Sequence, residues 1–191
     1  LSERSSIDDV WKALSDNTKK VVFFTAPSIR ATLGEAFDLP VGTNVEGKMV
    51  AAIRRLGPHA VFNMDVTADL TIMEEASELI NRIKTNKPLP MFTSCCPGWI
   101  KFVEQTYPEL ISNLSTCKSP QQMFGALLKS YWCEKHDISP ENLYVVSVIP
   151  CTAKKYECER EQMPNDVDAA ITTRELARMI KTAGIKFTEL P

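Results

Sequence analysis

Short unbroken apolar runs alternate along the chain with longer stretches of helical spacing. VVFFT at 21–25, ended by Ala26-Pro27, reads as a buried strand. SIRATLGEAFDL at 28–39 reads as a helix capped by Ser28, and VEGKMVAAIRRLG at 45–57 as a helix stopped by Gly57-Pro58. HAVFN at 59–63 is a second expected strand. From Asp65 to about Lys84, Leu70, Met73, Leu79, Ile80 and Ile83 recur near helical spacing, and LPMFT at 89–93 is a third expected strand. WIKFVEQTY at 99–107 predicts a helix stopped by Pro108. A long helix is expected from Pro120 to about Lys135, with Ser119 as its cap. LYVVSVIP at 143–150 is the strongest strand, apolar enough to be covered on both faces. DAAIT at 168–172 and TRELARMIKTAG at 173–184 close the series as strand and helix. The alternation predicts an α/β fold with mostly parallel sheets and flanking helices. The weakest pattern, a candidate domain break, lies near 108–118.

Composition narrows the class. The chain has 191 residues, 44% of them hydrophobic and 24% charged, as in an ordinary globular protein. A net charge of −2 gives no reason to expect nucleic acid or an anionic membrane as partner. No window is long and apolar enough to span a bilayer. The opening LSERSSIDDVWKALSD is polar and amphipathic, unlike a signal peptide, so a cytoplasmic location is expected. A start at Leu1 is read as that of a processed or excised piece.

Six cysteines change the picture: Cys95, Cys96, Cys117, Cys133, Cys151 and Cys158. Without a secretion signal, metal binding or redox chemistry is favoured over a disulfide framework. The absence of any Cys-x-x-Cys argues against zinc ribbons, thioredoxin-like sites and bacterial ferredoxin clusters. Open α/β sheets bind ligands beyond the carboxyl ends of their strands. Those ends carry Ala26-Pro27-Ser28, then Ser94-Cys95-Cys96-Pro97-Gly98, then Pro150-Cys151-Thr152-Ala153-Lys154. Thiols in stiff turns at that edge suit a metal centre. Adjacent side chains of an extended segment point to opposite sides, so Cys95 and Cys96 read as one ligand and one free thiol. A cubane cluster needs four thiolates. If Cys96 and Cys151 supply two, the others are Cys117, Cys133 or Cys158, or lie outside the chain; those three also read as packing residues.

Two further features bear chemistry. Glu75 and Glu78 lie three apart on one helix face, readable as a solvated acidic surface or as a proton-passing pair. Lys154, three residues after Cys151, can aim its ammonium at an anionic ligand held in that turn, with Lys155 as the solvent-facing neighbour.

TSCCPGW at 93–99 resembles the first signature of the catalytic domain of iron-only (FeFe) hydrogenases, and IPCTAKKYE at 149–157 resembles the second, usually written with Met in place of Ile149. TAPSIRATLGE at 25–35, TIMEEASELI at 71–80, STCKSPQQMFG at 115–125 and DAAITTRELARMIK at 168–181 are similar to the same family. The resemblance implies part of a two-lobed catalytic domain holding an H-cluster between its lobes. That cluster is a 4Fe–4S cubane bridged by a cysteine to a di-iron unit bearing carbon monoxide, cyanide and an azadithiolate. It implies Cys96 and Cys151 as cubane ligands. Cys95 becomes the thiol that exchanges protons with the bridging amine, and Glu75, Glu78 and Ser115 the rest of the proton path. Lys154 becomes the partner of one cyanide, with Pro27 and Ser28 at the other; Ala26, Ser119, Pro120 and Gln121 are further pocket positions.

The resemblance also sets expectations about what lies beyond the chain. The family's third signature, which carries the other two cubane cysteines, does not occur in these 191 residues. The chain is therefore expected to be the N-terminal portion of the catalytic domain, partnered by the C-terminal remainder. A ferredoxin or accessory iron–sulfur domains are expected to deliver electrons, and LSERS looks like a point just after such modules. The activity implied is the reversible interconversion of protons and electrons with dihydrogen. The alternative is an iron–sulfur sensory or cluster-assembly relative without turnover.

Overall fold

The computed structural model describes residues 4–163 and 165–191. Leu1 to Glu3, on which the reading of the opening segment partly rests, lie outside the described residues. The elements run α1 (Ile7–Ser15), β1 (Lys20–Thr25), α2 (Ile29–Thr32), α3 (Glu46–Arg55), β2 (Ala60–Asn63), α4 (Asp65–Lys84), α5 (Pro97–Thr106), α6 (Pro120–Leu127), α7 (Cys133–His136), β3 (Leu143–Val148), α8 (Ala153–Cys158), β4 (Ala169–Ile171) and α9 (Thr173–Thr182). The strands form one parallel sheet in the order β2-β1-β3-β4. The α/β expectation of a parallel sheet with flanking helices is met.

β1 and β3 are the inner strands, and their composition explains it. Val22, Phe23, Phe24, Val145, Val146 and Val148 are all fully covered. Burial of each such side chain contributes roughly 1.5–3 kcal/mol. The register sets Thr25 opposite Val148, and Ala26 N–H donates to the Val148 carbonyl at 2.9 Å. Ile149 N–H donates to the Ile171 carbonyl, also at 2.9 Å. The tips of β1 and β3, with Ala26-Pro27-Ser28 and Pro150-Cys151, therefore adjoin at one edge. A close approach on a flanking helix requires Gly125: a Cβ there would overlap the Asp166 carbonyl oxygen.

Several elements depart from expectation. LPMFT does not join the sheet. Pro88 and Pro90 lack backbone donors, the Leu89–Pro90 bond is cis, and only Phe92 makes a ladder contact, with Leu114. Phe92 N–H donates to the Asn113 carbonyl (2.8 Å), and Ser115 N–H to the Phe92 carbonyl (2.7 Å). The helix expected over 28–39 is one α turn followed by a 3-10 turn, Leu33–Phe37, that ends at left-handed Asp38. Ser28 does not cap it with its side chain; its carbonyl instead accepts from Thr32 Oγ1 at 3.0 Å. The long helix after Ser119 contains a π turn, Leu128–Trp132, between α6 and α7, where Trp132 packs edge-on against Phe62 and stacks on His136. Residues Pro108–Asn113, in the weakly patterned stretch, form a 3-10 helix. No helix among the described residues is long and apolar enough to cross a membrane.

α4 is a helix over the expected residues, but its faces are reversed. Its buried positions are Thr67, Thr71 and Arg82, whereas Val66, Ile72, Met73, Ile80 and Ile83 are exposed. Thr67 Oγ1 donates to the Pro120 carbonyl at 3.0 Å and Thr71 Oγ1 contacts Met123 Sδ at 3.2 Å, so the polar row is what meets α6.

Candidate active site

The Cys95-Cys96 turn is built by helix-start chemistry. Pro97 occupies the first position of α5, and Cys96 is its cap in extended backbone, with Sγ accepting from Trp99 N–H at 3.4 Å. This sets the Cys96 thiol at the N-terminus of a ten-residue helix. Cys96 is exposed, while Cys95 and Cys151 are half-buried, and all three are free thiols. Ser94 Oγ donates to the Cys117 carbonyl at 2.8 Å, tying the turn to the loop before α6.

Lys154 joins this turn to the one after β3. Its ammonium donates to the Cys95 carbonyl at 2.6 Å and to both oxygens of Glu157, at 3.0 and 3.1 Å. Ser119 Oγ and Gln121 Nε2 reach the same carboxylate at 2.9 and 3.1 Å. Lys154, Ser119 and Gln121 are thus gathered around one acid, Glu157, which is 3% exposed. Pro120 is the first residue of α6, with Ser119 as its side-chain cap. Ala26 is buried at the tip of β1, Pro27 is half-buried and Ser28 exposed. Lys155 is not the solvent-facing neighbour expected: its ammonium pairs with buried Glu175 at 2.7 Å and donates to the Arg4 carbonyl.

A second polar centre lies where α4 meets residues 112–117. Glu78 Oε2 accepts from Ser115 Oγ (2.8 Å), Thr116 N–H (3.0 Å) and Thr116 Oγ1 (3.3 Å). Its Oε1 accepts from Arg82 Nε and Nη2 at 2.9 and 2.7 Å. Burial pushes the Glu78 carboxyl up, but the hydrogen bonds from Ser115, Arg82 and Thr116 and the Arg82 charge outweigh it and hold it below the usual range. The Cys117 thiol, 3.8 Å from Glu78 Oε2, is pushed up by its own burial and by the nearby carboxylates, against a hydrogen bond from the Ser115 region. Arg82 also donates to the carbonyls of Pro88, Ser112 and Leu114, so every guanidinium N–H is used.

Glu78 and Ser115 are therefore in direct contact. Among the described residues, no hydrogen bond links Glu75 to Cys95, Glu78 or Ser115; Glu75 Oε1 is buried without a partner. Sequence reasoning missed Arg82 and Glu157. Spacing offered a signal for both, four residues after Glu78 and three after Lys154, but not that each pair is buried.

The donor set agrees with an iron–sulfur group. Two thiols sit at two stiff turns joined by Lys154, whose ammonium bonds the Cys95 carbonyl between them. No group of three or more His, Cys, Asp or Glu side chains able to hold a metal occurs among the described residues.

The family described as "Iron only hydrogenase large subunit, C-terminal domain" matches residues 19–191. The chain belongs to the iron-only hydrogenase family. It is 50% identical over 194 residues to Iron hydrogenase 1 of Clostridium pasteurianum, covering all of this chain and 34% of that protein. It is 48% identical to the Periplasmic [Fe] hydrogenase large subunit of Nitratidesulfovibrio vulgaris, covering 98% of this chain and 46% of that one. Among solved structures, apo [FeFe]-hydrogenase HydA1 from Chlamydomonas reinhardtii superposes with a TM-score of 0.92 at 41% identity, covering 98% of this chain and 50% of that one. More distant relatives include Cytosolic iron-sulfur assembly component 3 of Bos taurus, at 33% identity. The chain thus spans half or less of the length of the iron-only hydrogenases it matches.

Proposed function

We propose that these residues are the N-terminal portion of the catalytic domain of an iron-only hydrogenase, with a lobe break near 108–118. The intact enzyme interconverts protons plus electrons with dihydrogen. The observation that carries this reading is the 2.6 Å bond from Lys154 to the Cys95 carbonyl, which makes the two cysteine turns parts of one site. Cys96 and Cys151 hold the cubane of the H-cluster, and its other two protein ligands come from the C-terminal remainder of the domain. When bound, the cluster supplies redox-active iron, with carbon monoxide, cyanide and azadithiolate ligands on its di-iron unit.

The chain's own residues bind, orient and move protons. Lys154 offers its ammonium to one cyanide, with Pro27 and Ser28 at the other and Ala26, Ser119, Pro120 and Gln121 at further pocket positions. Cys95 exchanges protons with the cluster side of the path. Glu75, Glu78 and Ser115 carry them outward, and the Ser115–Glu78 contact supports the outer step. Glu78, held anionic by Arg82 and Ser115, is an acceptor at rest. The exposed apolar row of α4 supports a further part of the domain packing there. Electrons arrive from a ferredoxin or accessory iron–sulfur domains, and the protein works in the cytoplasm.

The test is hydrogen evolution by the full-length, matured protein with a reduced viologen. Cys95→Ala is expected to lower turnover by about 10²–10⁴-fold, the range for losing a positioned acid–base group. Wild-type turnover in that variant removes Cys95 from the path. A second reading is an iron–sulfur sensory or cluster-assembly protein, and distant relatives named for iron–sulfur assembly favour the latter. A full-length protein that binds iron and sulfide but evolves no hydrogen after maturation decides for it.

A further inference from the structure

Glu157 has no part in the reading above, yet it accepts four hydrogen bonds beside the cysteine turns. Its two oxygens accept from Lys154 Nζ, and Oε2 also accepts from Ser119 Oγ and Gln121 Nε2. A carboxylate this buried persists only when paired and hydrogen-bonded. The bonding continues inward. Gln121 Oε1 accepts from Ser147 Oγ at 2.8 Å, near the carboxyl end of β3, so the amide is fixed with its nitrogen toward Glu157. Gln121 Nε2 also reaches the Lys154 carbonyl at 3.3 Å. Ser147, Gln121 and Glu157 thus form a dry hydrogen-bonded line from the sheet core to the Lys154 ammonium.

Lys154 has three N–H bonds and uses all of them, on Glu157 Oε1, Glu157 Oε2 and the Cys95 carbonyl. An anionic ligand at this lysine must displace one. The two to Glu157 lie within a buried pair whose acid is held in place by Ser119 and Gln121. The bond to the Cys95 carbonyl is to a neutral acceptor in the half-buried turn that carries the thiols, and it is the one that can be exchanged.

We propose that Glu157 is the positioning residue of the anion pocket: it holds Lys154, Ser119 and Gln121 in one arrangement and leaves the third N–H of Lys154 as a latch on the Cys95 turn until an anionic ligand takes it. This inference rests on the hydrogenase reading for the identity of that ligand, a cyanide, but not for the latch itself.

Two variants test it in the full-length protein. Glu157→Gln keeps the shape, loses the charge and sets two donors against Lys154. Glu157→Asp keeps the charge and draws it back from its partners. In the matured enzyme, the infrared cyanide bands report the pocket. Glu157→Gln is expected to shift and broaden one of the two bands and leave the other in place, with Glu157→Asp shifting the same band less. Wild-type band positions in Glu157→Gln overturn the proposal. Should that variant fail to fold, unshifted bands in Glu157→Asp do the same. Before maturation, hydrogen exchange reads the latch directly: the amides of the Cys95-Cys96 turn and the first turn of α5 are expected to lose protection in either variant. Unchanged protection there overturns the latch. Wild-type enzyme that shows no cyanide bands at all sinks the hydrogenase reading instead, and leaves the exchange result to decide the latch.

Discussion

The parallel sheet and the arm formed by α4 with residues 88–117 are held by different forces. In the sheet, Val22, Phe23, Phe24, Val145 and Val146 are wholly covered, and the inner strands are closed on both faces. In the arm the apolar residues of α4 face outward, with Ile72 and Met73 each 67% exposed. The centre of the arm's polar bonding is one guanidinium: Arg82, 4% exposed, ties α4 to Glu78 and to the carbonyls of Pro88, Ser112 and Leu114. The sheet is self-supporting, whereas the arm depends on a polar clasp. The residues assigned to proton transfer, Cys95, Glu75, Glu78 and Ser115, all lie on the dependent side, and Cys151 and Lys154 follow a strand of the self-supporting one.

The sharpest way to break this contrast is Arg82→Met. Removing one partner of a buried pair takes the Arg82 donors from Glu78 Oε1 and from three carbonyls, at a cost of about 3–5 kcal/mol. Hydrogen exchange is expected to show that loss over residues 88–117 while the amides of β1 and β3 stay protected. Equal loss in both regions denies the arm its separate support. Gly125→Ala strikes the other side. Its Cβ would overlap the Asp166 carbonyl, and relief of that overlap costs about 1–3 kcal/mol, read as a lower global unfolding midpoint.

Acid gives a smaller effect. The Glu78 carboxyl lies below the ordinary glutamate range in the folded chain, so its contribution is complete above that range and lost as pH falls through the lowered value. The stability gap between wild type and Glu78→Gln, from denaturant unfolding, is expected to narrow on acidification; a gap independent of pH refutes the charge-based clasp. The smallest change is Ile80→Ser on the exposed row. By itself it should alter the stability of these residues by less than about 0.5 kcal/mol, yet it should weaken the full-length domain measurably if α4 packs against the remainder there.

The sheet was largely legible in the sequence because its signal is local: unbroken β-branched and aromatic runs with turn residues after them. LYVVSVIP was correctly read as an inner strand because almost nothing polar interrupts it. LPMFT carries the same apolar signal, but its prolines and its distance from the sheet prevent pairing, and no local pattern reveals distance. The α4 helix was legible in extent and not in orientation: its apolar spacing marks a face, and only the tertiary contacts show that Thr67, Thr71 and Arg82 are the buried one. At the site, the cysteine turns stood out by residue type. Glu157 did not, since a glutamate three residues after a lysine on a short helix usually marks a solvated pair; here the chain packs Ser119 and Gln121 over it.

The rims of the sheet are its shortest members, four residues in β2 and three in β4. Such stubs offer an incoming chain little backbone to zip onto. The long oily ridge of α4 has no comparable guard. Clumping of this stretch, if expressed by itself, is therefore expected to proceed by helix-on-helix adhesion along that ridge, with ribbon-like growth from the sheet suppressed from the outset.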